Sequence, residues 1–157
     1  QFATIGGAGM TIGLVVAMLI VARSQRLKMM SKLGAVPSLF NINEPLIFGT
    51  PIILNPLMLV PVTLAPIVSV LIAYLAMKLQ FMLPFNGVIA PWTTPPIISG
   101  LLVSGWQGAL IQLIAIVAST LIYLPFVKAL DNQYRKEELE VEENNSESDS
   151  EDDEWAL

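Results

Sequence analysis

Three long stretches of the chain are apolar and free of charged residues. Each is close to the roughly 20 residues that a helix needs to cross the hydrocarbon core of a bilayer. A basic residue follows each stretch, as expected where a transmembrane helix reaches the lipid headgroups. The pattern predicts an all-α integral membrane protein with about three transmembrane helices, at residues 2–22, 57–77 and 108–127.

Two segments between these stretches combine apolar residues with many helix breakers. They are residues 34–56 and 81–105, and all eleven prolines lie between Pro37 and Pro125. Non-helical backbone at membrane depth is tolerated only where it is buried in protein or lines a cavity. We therefore predict two re-entrant hairpins that face each other near the middle of the membrane and mark a transport site. Interfacial loops with short surface helices are the alternative.

The charges are distributed unevenly. Four basic residues follow the first apolar stretch within residues 23–32, and three follow the last one within residues 128–136. By the positive-inside rule both segments are cytoplasmic, which predicts a multi-pass protein with a cytoplasmic C terminus. Residues 137–157 hold eleven acidic residues and no basic one. We predict that this tail is disordered, either solvated or docked on a basic surface of a partner.

Composition excludes several kinds of chemistry. The chain has no cysteine and no histidine. It therefore offers no thiolate or imidazole for catalysis or for carrying a phosphoryl group, and no zinc or haem ligand set. We predict no metal, no cofactor and no nucleic-acid partner. Because the chain begins with Gln1 directly in an apolar stretch, we expect it to be the C-terminal part of a longer protein.

Glu44 is the only acidic residue among the first 130. A charged residue at membrane depth costs about 2.5 to 3.5 kcal/mol and is usually functional. Pro45 suits the first position of a helix, and Asn43 or Glu44 would lie at the cap before it, where asparagine is the better capping residue. The carboxylate would then lie at the positive end of a short helix, stay ionised and accept hydrogen bonds from hydroxyl groups. A structural carboxylate that caps the hairpin is the alternative.

Three motifs carry a resemblance to a known family. They are residues 6–14 (GGAGMTIGL), residues 40–56 (FNINEPLIFGTPIILNP) and residues 90–96 (APWTTPP) followed by Ser99 and Gly100. Together they resemble enzyme IIC, the sugar-translocating membrane component of the bacterial phosphoenolpyruvate-dependent phosphotransferase system. The lactose, cellobiose and diacetylchitobiose branch is the most similar. The resemblance covers residues 2 to about 136 and leaves out the acidic tail.

The resemblance implies a function for residues 1–136 as the C-terminal part of a sugar-transport domain. Such a domain binds a disaccharide and carries it across the bacterial plasma membrane. A phosphocysteine on the partner enzyme IIB, supplied by the upstream phosphotransferase proteins, then phosphorylates the sugar. The family forms a homodimer through its N-terminal half, and the histidine that partners its signature glutamate must lie upstream.

The resemblance also implies roles for individual residues. Glu44 matches the glutamate that binds sugar hydroxyls, and Trp92 is placed to stack on a sugar ring. The polar side chains near them either contact the substrate or satisfy hairpin backbone. These further candidates are Asn41, Asn43, Asn86, Thr93 and Thr94.

Two other functions stay open from the residues alone. An ion-coupled secondary transporter would use Glu44 to carry the proton, and it shares the hairpins and the lone carboxylate with the first hypothesis. A non-transporting membrane fragment would bind no sugar. The energy source separates the transporters, since only the phosphotransferase system consumes phosphoenolpyruvate and releases sugar phosphate.

Overall fold

A computed structural model describes residues 2–50, 52, 55–81 and 89–154, with side chains to residue 143. Within these residues the fold is entirely helical, which confirms the predicted all-α class. The five helices are α1 (Thr11–Val21), α2 (Gln25–Leu39), α3 (Glu44–Gly49), α4 (Pro56–Lys78) and α5 (Ile98–Glu154).

Two of the helices are long and apolar enough to cross a membrane. They are α4 and the described part of α5, each with a mean hydropathy of 2.2 over its best window. Helix α4 begins at Pro56, and the side chain of Asn55 accepts a hydrogen bond of 3.0 Å from the backbone N–H of Leu57. The cap and the proline explain why this helix starts where the second apolar stretch begins.

The first apolar stretch is a helix over only half its length. Helix α1 covers Thr11–Val21, and the preceding residues form turns. At 1.5 Å per residue α1 is about 16 Å long, roughly half of the hydrocarbon core. Helix α1 is therefore shorter than the predicted span of residues 2–22. The reason is backbone conformation, because Gly6, Gly7 and Gly9 have φ values of 78°, 98° and 82°, which no helix accommodates.

The segment predicted as the first hairpin is a helix, a turn and a short helix. Its first residues extend α2 to Leu39, although Pro37 lies in that last turn. Helix α3 then begins at Glu44 and ends at Gly49. The two helices pack closely, because a Cβ on Gly34 would overlap the side chain of Leu46.

The second predicted hairpin is described only from residue 89 onward and at Phe81. Helix α5 turns sharply at Ser104 and Gly105, where Gly105 has a φ of 68°. Its first turn folds back, so that Gly100 contacts Gly108 with no room for a Cβ on either residue. The segment therefore contains a tight helical turn, and the glycines permit the close approach of its two arms.

The core lies between α1 and α5. Buried side chains from both helices meet there with those of Leu27 and Leu46 from α2 and α3. Gly13 of α1 contacts Ser119 of α5 so closely that a Cβ would overlap the serine side chain. This packing places the glycine-rich turns before α1 against the middle of α5.

The acidic tail is part of α5, which continues past residue 136 to Glu154. The prediction of disorder from residue 137 onward thus differs from the structure, and residues 155–157 lie outside the described residues. Near the beginning of the tail, the Glu138 carboxylate bonds to Ser24, Gln25 and Arg26. Charge counting along the sequence misses this partner more than 110 residues away.

Candidate functional site

The turns before α1 form the floor of the candidate site. Gly7 N–H donates to the Thr4 carbonyl over 3.0 Å, and Met10 N–H donates to the Gly7 carbonyl over 3.2 Å. The hydroxyl of Thr11 donates to the Gly6 carbonyl, and that of Tyr123 donates to the Gly9 carbonyl. We call residues 4–10 the glycine loop; it is a fixed, folded backbone surface.

Asn41 joins the glycine loop to the second motif. Its Oδ1 accepts from Gly6 N–H over 2.7 Å. Its Nδ2 donates to the Trp92 carbonyl over 2.6 Å and to the Thr94 carbonyl over 3.1 Å. Asn41 has a φ of 60°, a left-handed conformation that asparagine adopts more readily than most residues. Both amide protons of Asn41 are therefore committed to the backbone that surrounds the site.

Asn43 is also committed to backbone. It is buried, and its Nδ2 donates to the Ala8 carbonyl over 2.9 Å. A Cβ on Gly7 would lie 2.6 Å from Asn43 Cγ, so this contact requires glycine. Asn43 does occupy the position before α3, but its side chain makes no capping hydrogen bond to that helix. Asn43 therefore occupies the expected cap position, but its side chain bonds to the glycine loop through Nδ2 and does not cap α3.

Glu44 opens α3 and is exposed. Pro45 follows it in the first turn, as the sequence predicts. Among the described residues no hydrogen bond or ion pair to its carboxylate is found. The carboxylate thus lies at the positive end of a helix with acceptor capacity available for a ligand.

A cavity of about 280 Å³ lies between the glycine loop and the segment around Trp92. Polar groups line it, namely the side chains of Thr4, Asn41, Thr94 and Ser99. Trp92 forms part of the wall and is 70% exposed, so its indole is open to a ligand. A few polar groups beside an aromatic face suit a small polar molecule with an apolar side, such as a sugar ring.

The structure gathers some of the predicted residues and separates others. Asn41, Trp92 and Thr94 meet at the cavity, whereas Asn43 supports the glycine loop. Glu44 and Thr93 are exposed and are not part of the cavity wall. Asn86 lies outside the described residues. Thr4 and Ser99 line the cavity although neither was among the predicted site residues; Ser99 follows the third motif and Thr4 precedes the first, which was the available signal.

Ser99 is held in the cavity wall by Gln112. The buried Gln112 Oε1 accepts from Ile97 N–H over 2.6 Å and from Gly100 N–H over 3.0 Å. Its Nε2 donates to Ser99 Oγ over 3.0 Å. These bonds satisfy N–H groups at the start of α5 that the helix itself leaves unpaired.

The fold and the site define a class of protein: a helical membrane component with broken helices around a polar cavity. The family model described as "Phosphotransferase system, EIIC" matches residues 1–66. The chain is 44% identical to the lichenan permease IIC component of Bacillus subtilis (strain 168) over 140 residues. It is 38% identical to the cellobiose-specific EIIC component of Lactococcus lactis subsp. lactis (strain IL1403) over 141 residues.

A solved structure agrees with these matches. The crystal structure of the transporter ChbC, the IIC component from the N,N'-diacetylchitobiose-specific phosphotransferase system, is similar with a TM-score of 0.83 and 43% identity. The match covers 86% of this chain and 32% of that one. The two curated relatives are covered over 31% and 28% of their length and cover 88% of this chain. The resemblance to enzyme IIC is confirmed: the chain is a relative of these membrane components and spans about a third of their length.

Proposed function

We propose that this chain forms the sugar-binding part of an enzyme IIC permease. The substrate is a disaccharide of the cellobiose, lactose and diacetylchitobiose class, which the permease carries across the bacterial plasma membrane. The partner enzyme IIB then transfers a phosphoryl group to it from a phosphocysteine. The observation that carries the proposal is the cavity beside Asn41 and Trp92, in a chain related to sugar permeases.

The proposed role of each residue follows from the hydrogen-bonding groups and surface that it does not already use within the protein. Trp92 presents an exposed indole on which the C–H face of a sugar ring stacks. Thr94 and Thr4 contribute hydroxyls that both donate and accept, whereas the buried Ser99 hydroxyl is already bonded to Gln112. Asn41 mainly shapes the cavity, because both its amide protons are used, while Oδ1 keeps one acceptor position.

Glu44 supplies the charge in this proposal. It lies three residues after Asn41 and outside the cavity wall, so its carboxylate contacts a substrate that extends beyond the cavity toward α3. An ionised carboxylate accepts two sugar hydroxyls and orients one of them for phosphorylation. The lack of a committed partner among the described residues supports this role over that of a structural cap.

The wider assembly is also part of the proposal. We infer a multi-pass topology with a cytoplasmic C terminus from the basic residues that follow α1 and those near residue 128. The homodimer, the phosphotransferase proteins that feed enzyme IIB, and the opposed re-entrant placement of the two hairpins come from the family resemblance and the proline pattern. The two apolar helices support membrane insertion.

The test uses membranes from cells that express the complete gene encoding this chain. Radiolabelled cellobiose, lactose and diacetylchitobiose are supplied with phosphoenolpyruvate and the soluble phosphotransferase proteins. We expect sugar phosphate from the unaltered protein and a sharp loss in the Glu44→Gln variant. Uptake of free sugar that requires a proton gradient would instead establish the secondary transporter. If neither sugar phosphate nor gradient-driven uptake is found with any of the sugars, the proposal is contradicted.

A further inference from the structure

Two carboxylates of α5 hold the beginning of α2. Asp131 Oδ1 accepts from the backbone N–H groups of Arg23 and Ser24 over 2.9 and 2.8 Å. Glu138 accepts from the Ser24 hydroxyl over 2.7 Å and from the N–H groups of Arg26 and Gln25 over 3.2 and 3.4 Å. We call these two carboxylates and their partners the clamp.

The clamp is built by one face of α5. Asp131, Tyr134 and Glu138 have the i, i+3, i+7 spacing that aligns side chains on a helix. The Arg26 guanidinium lies 4.6 Å from the centroid of the Tyr134 ring. Asp131 and Ser24 are 3% and 0% exposed, so the Asp131 side of the clamp is shielded from water, whereas the bonds from Gln25 and Arg26 to Glu138 are exposed. Shielding strengthens hydrogen bonds to a charged acceptor.

Helix α2 depends on this help because its own residues do not provide a cap. Ser24 lies at the N-cap position, but its side chain makes no capping bond to α2, and the first turn contains no acidic residue. Helix N-termini leave N–H groups unpaired and favour nearby negative charge. The carboxylates of α5 supply both the acceptors and the charge from another part of the chain.

The other end of α2 leads directly into the candidate site. Phe40 and Asn41 N–H donate to the carbonyls of Pro37 and Ser38 over 2.9 and 3.2 Å, so the turn is bonded to the last turn of α2. Gly34 packs against Leu46, which fixes α3 to α2. A helix of 15 residues is about 22 Å long, and it connects the clamp to Asn41 without a flexible linker.

We propose that Asp131 and Glu138 are positioning residues, which hold the first turn of α2 and thereby set the position of the 41–44 turn and the affinity of the site for its sugar. This inference rests on the proposed function. It assigns a role to the beginning of the acidic tail: the tail is tied to the transport domain through Glu138.

The test compares Glu138→Gln and Asp131→Asn with Glu140→Gln in the complete protein. Glu140 is exposed on the same helix and takes no part in the clamp, so it controls for loss of one negative charge. Three quantities are measured: the sugar dissociation constant, the thermal midpoint, and the distance between spin labels at Phe48→Cys on α3 and Leu64→Cys on α4. Both label positions are exposed, and this chain has no cysteine of its own.

We expect the clamp variants to weaken sugar binding by about fivefold or more, the lower range of coupling between linked sites. The label distance should shift or broaden, while Glu140→Gln matches the unaltered protein. Ser24→Ala should produce the same change as Glu138→Gln, and the double variant should add little, because both remove one contact. Asp131 is buried, so Glu138→Gln carries the test if Asp131→Asn does not fold.

A lower thermal midpoint with unchanged affinity and unchanged label distance would overturn the inference, because the clamp would then only stabilise the fold. Additive effects of Ser24→Ala and Glu138→Gln would also overturn it. If the unaltered protein binds none of the sugars, the proposed function fails and the affinity claim fails with it. The label distance then still decides separately whether the clamp positions the turn.

Discussion

The beginnings of α2 and α3 both have acidic side chains, and the two helices use them differently. At the start of α2, Asp131 and Glu138 each accept two or three hydrogen bonds from this helix end. Beyond the other end, Glu44 opens α3 and has no such partner among the described residues. The same residue type at two helix beginnings is therefore satisfied by the protein in one place and left available in the other.

This difference teaches how to separate structural from functional carboxylates. A helix N-terminus favours either kind, so position alone does not distinguish them. The number of hydrogen bonds that a carboxylate already accepts does distinguish them. A carboxylate that accepts several bonds from backbone N–H groups has little capacity left for a ligand. By that measure Asp131 belongs to the scaffold, whereas Glu44 keeps acceptor capacity for a ligand.

The largest expected effect is on protein stability, through the glycine loop of the candidate site. Gly7→Ala should destabilise the protein by about 2 to 5 kcal/mol, from a left-handed backbone and an overlap with Asn43. Gly105→Ala is the matched control, since it has a φ of 68° but open space around a Cβ. Thermal unfolding in detergent compares the two. Equal losses would show that the Asn43 contact does not matter.

Removing the charge of Glu44 tests its role in sugar binding directly. Glu44→Gln should cost about 1.5 to 3 kcal/mol of sugar binding, the usual worth of hydrogen bonds to a charged group. The thermal midpoint should hardly change, because no described residue depends on that carboxylate. Equilibrium binding of labelled disaccharide measures the loss. A large drop in stability with unchanged affinity would instead make Glu44 a structural residue like Asp131.

Trp92 in the cavity wall should contribute somewhat less to sugar binding than Glu44. Trp92→Ala should weaken binding by about 1 to 3 kcal/mol, by analogy with bases that stack on aromatic side chains. Trp106→Ala is the control, because Trp106 is 62% exposed but packs edge-on against Phe81 and is not part of the cavity wall. Binding isotherms for both variants decide the point. Equal effects would remove Trp92 from the site.

The smallest expected effect is the pH dependence of the stability that the clamp contributes. The Ser24 hydroxyl, with the N–H groups of Arg26 and Gln25, holds the pKa of Glu138 below its ordinary value of 4.5. The stabilisation is therefore complete above pH 4.5 and is lost as the pH falls through the lower folded-state pKa. The thermal midpoint of the unaltered protein should fall more on acidification than that of Glu138→Gln. Parallel curves would mean that the contact contributes no stability.

Much of the fold could be predicted because the responsible signals are local. The apolar stretch and Pro56 locate α4, and Pro45 locates the start of α3. The three motifs suffice for the resemblance to enzyme IIC. Trp92 and Asn41 could be selected because polar and aromatic residues are unusual in such apolar segments, and both line the cavity.

Other features could not be predicted, because they depend on partners far away in sequence. Asn43 is an ordinary helix cap by its local pattern, yet it bonds to Ala8, 35 residues earlier. Glu138 belongs to an acidic run that favours disorder, yet it bonds to Ser24 across 114 residues. Residues 2–22 are apolar enough to span a bilayer, but the glycine loop gives half of them another conformation.

The sequence by itself thus determined the helical class with its long apolar helix, the helix beginnings at prolines and the similarity to enzyme IIC, since hydropathy and backbone propensity act over a few neighbouring residues. Only the tertiary structure decided which polar groups are already satisfied. That decision needs the positions of distant donors and acceptors, because a buried polar group bonds to whichever partner the packing brings within reach.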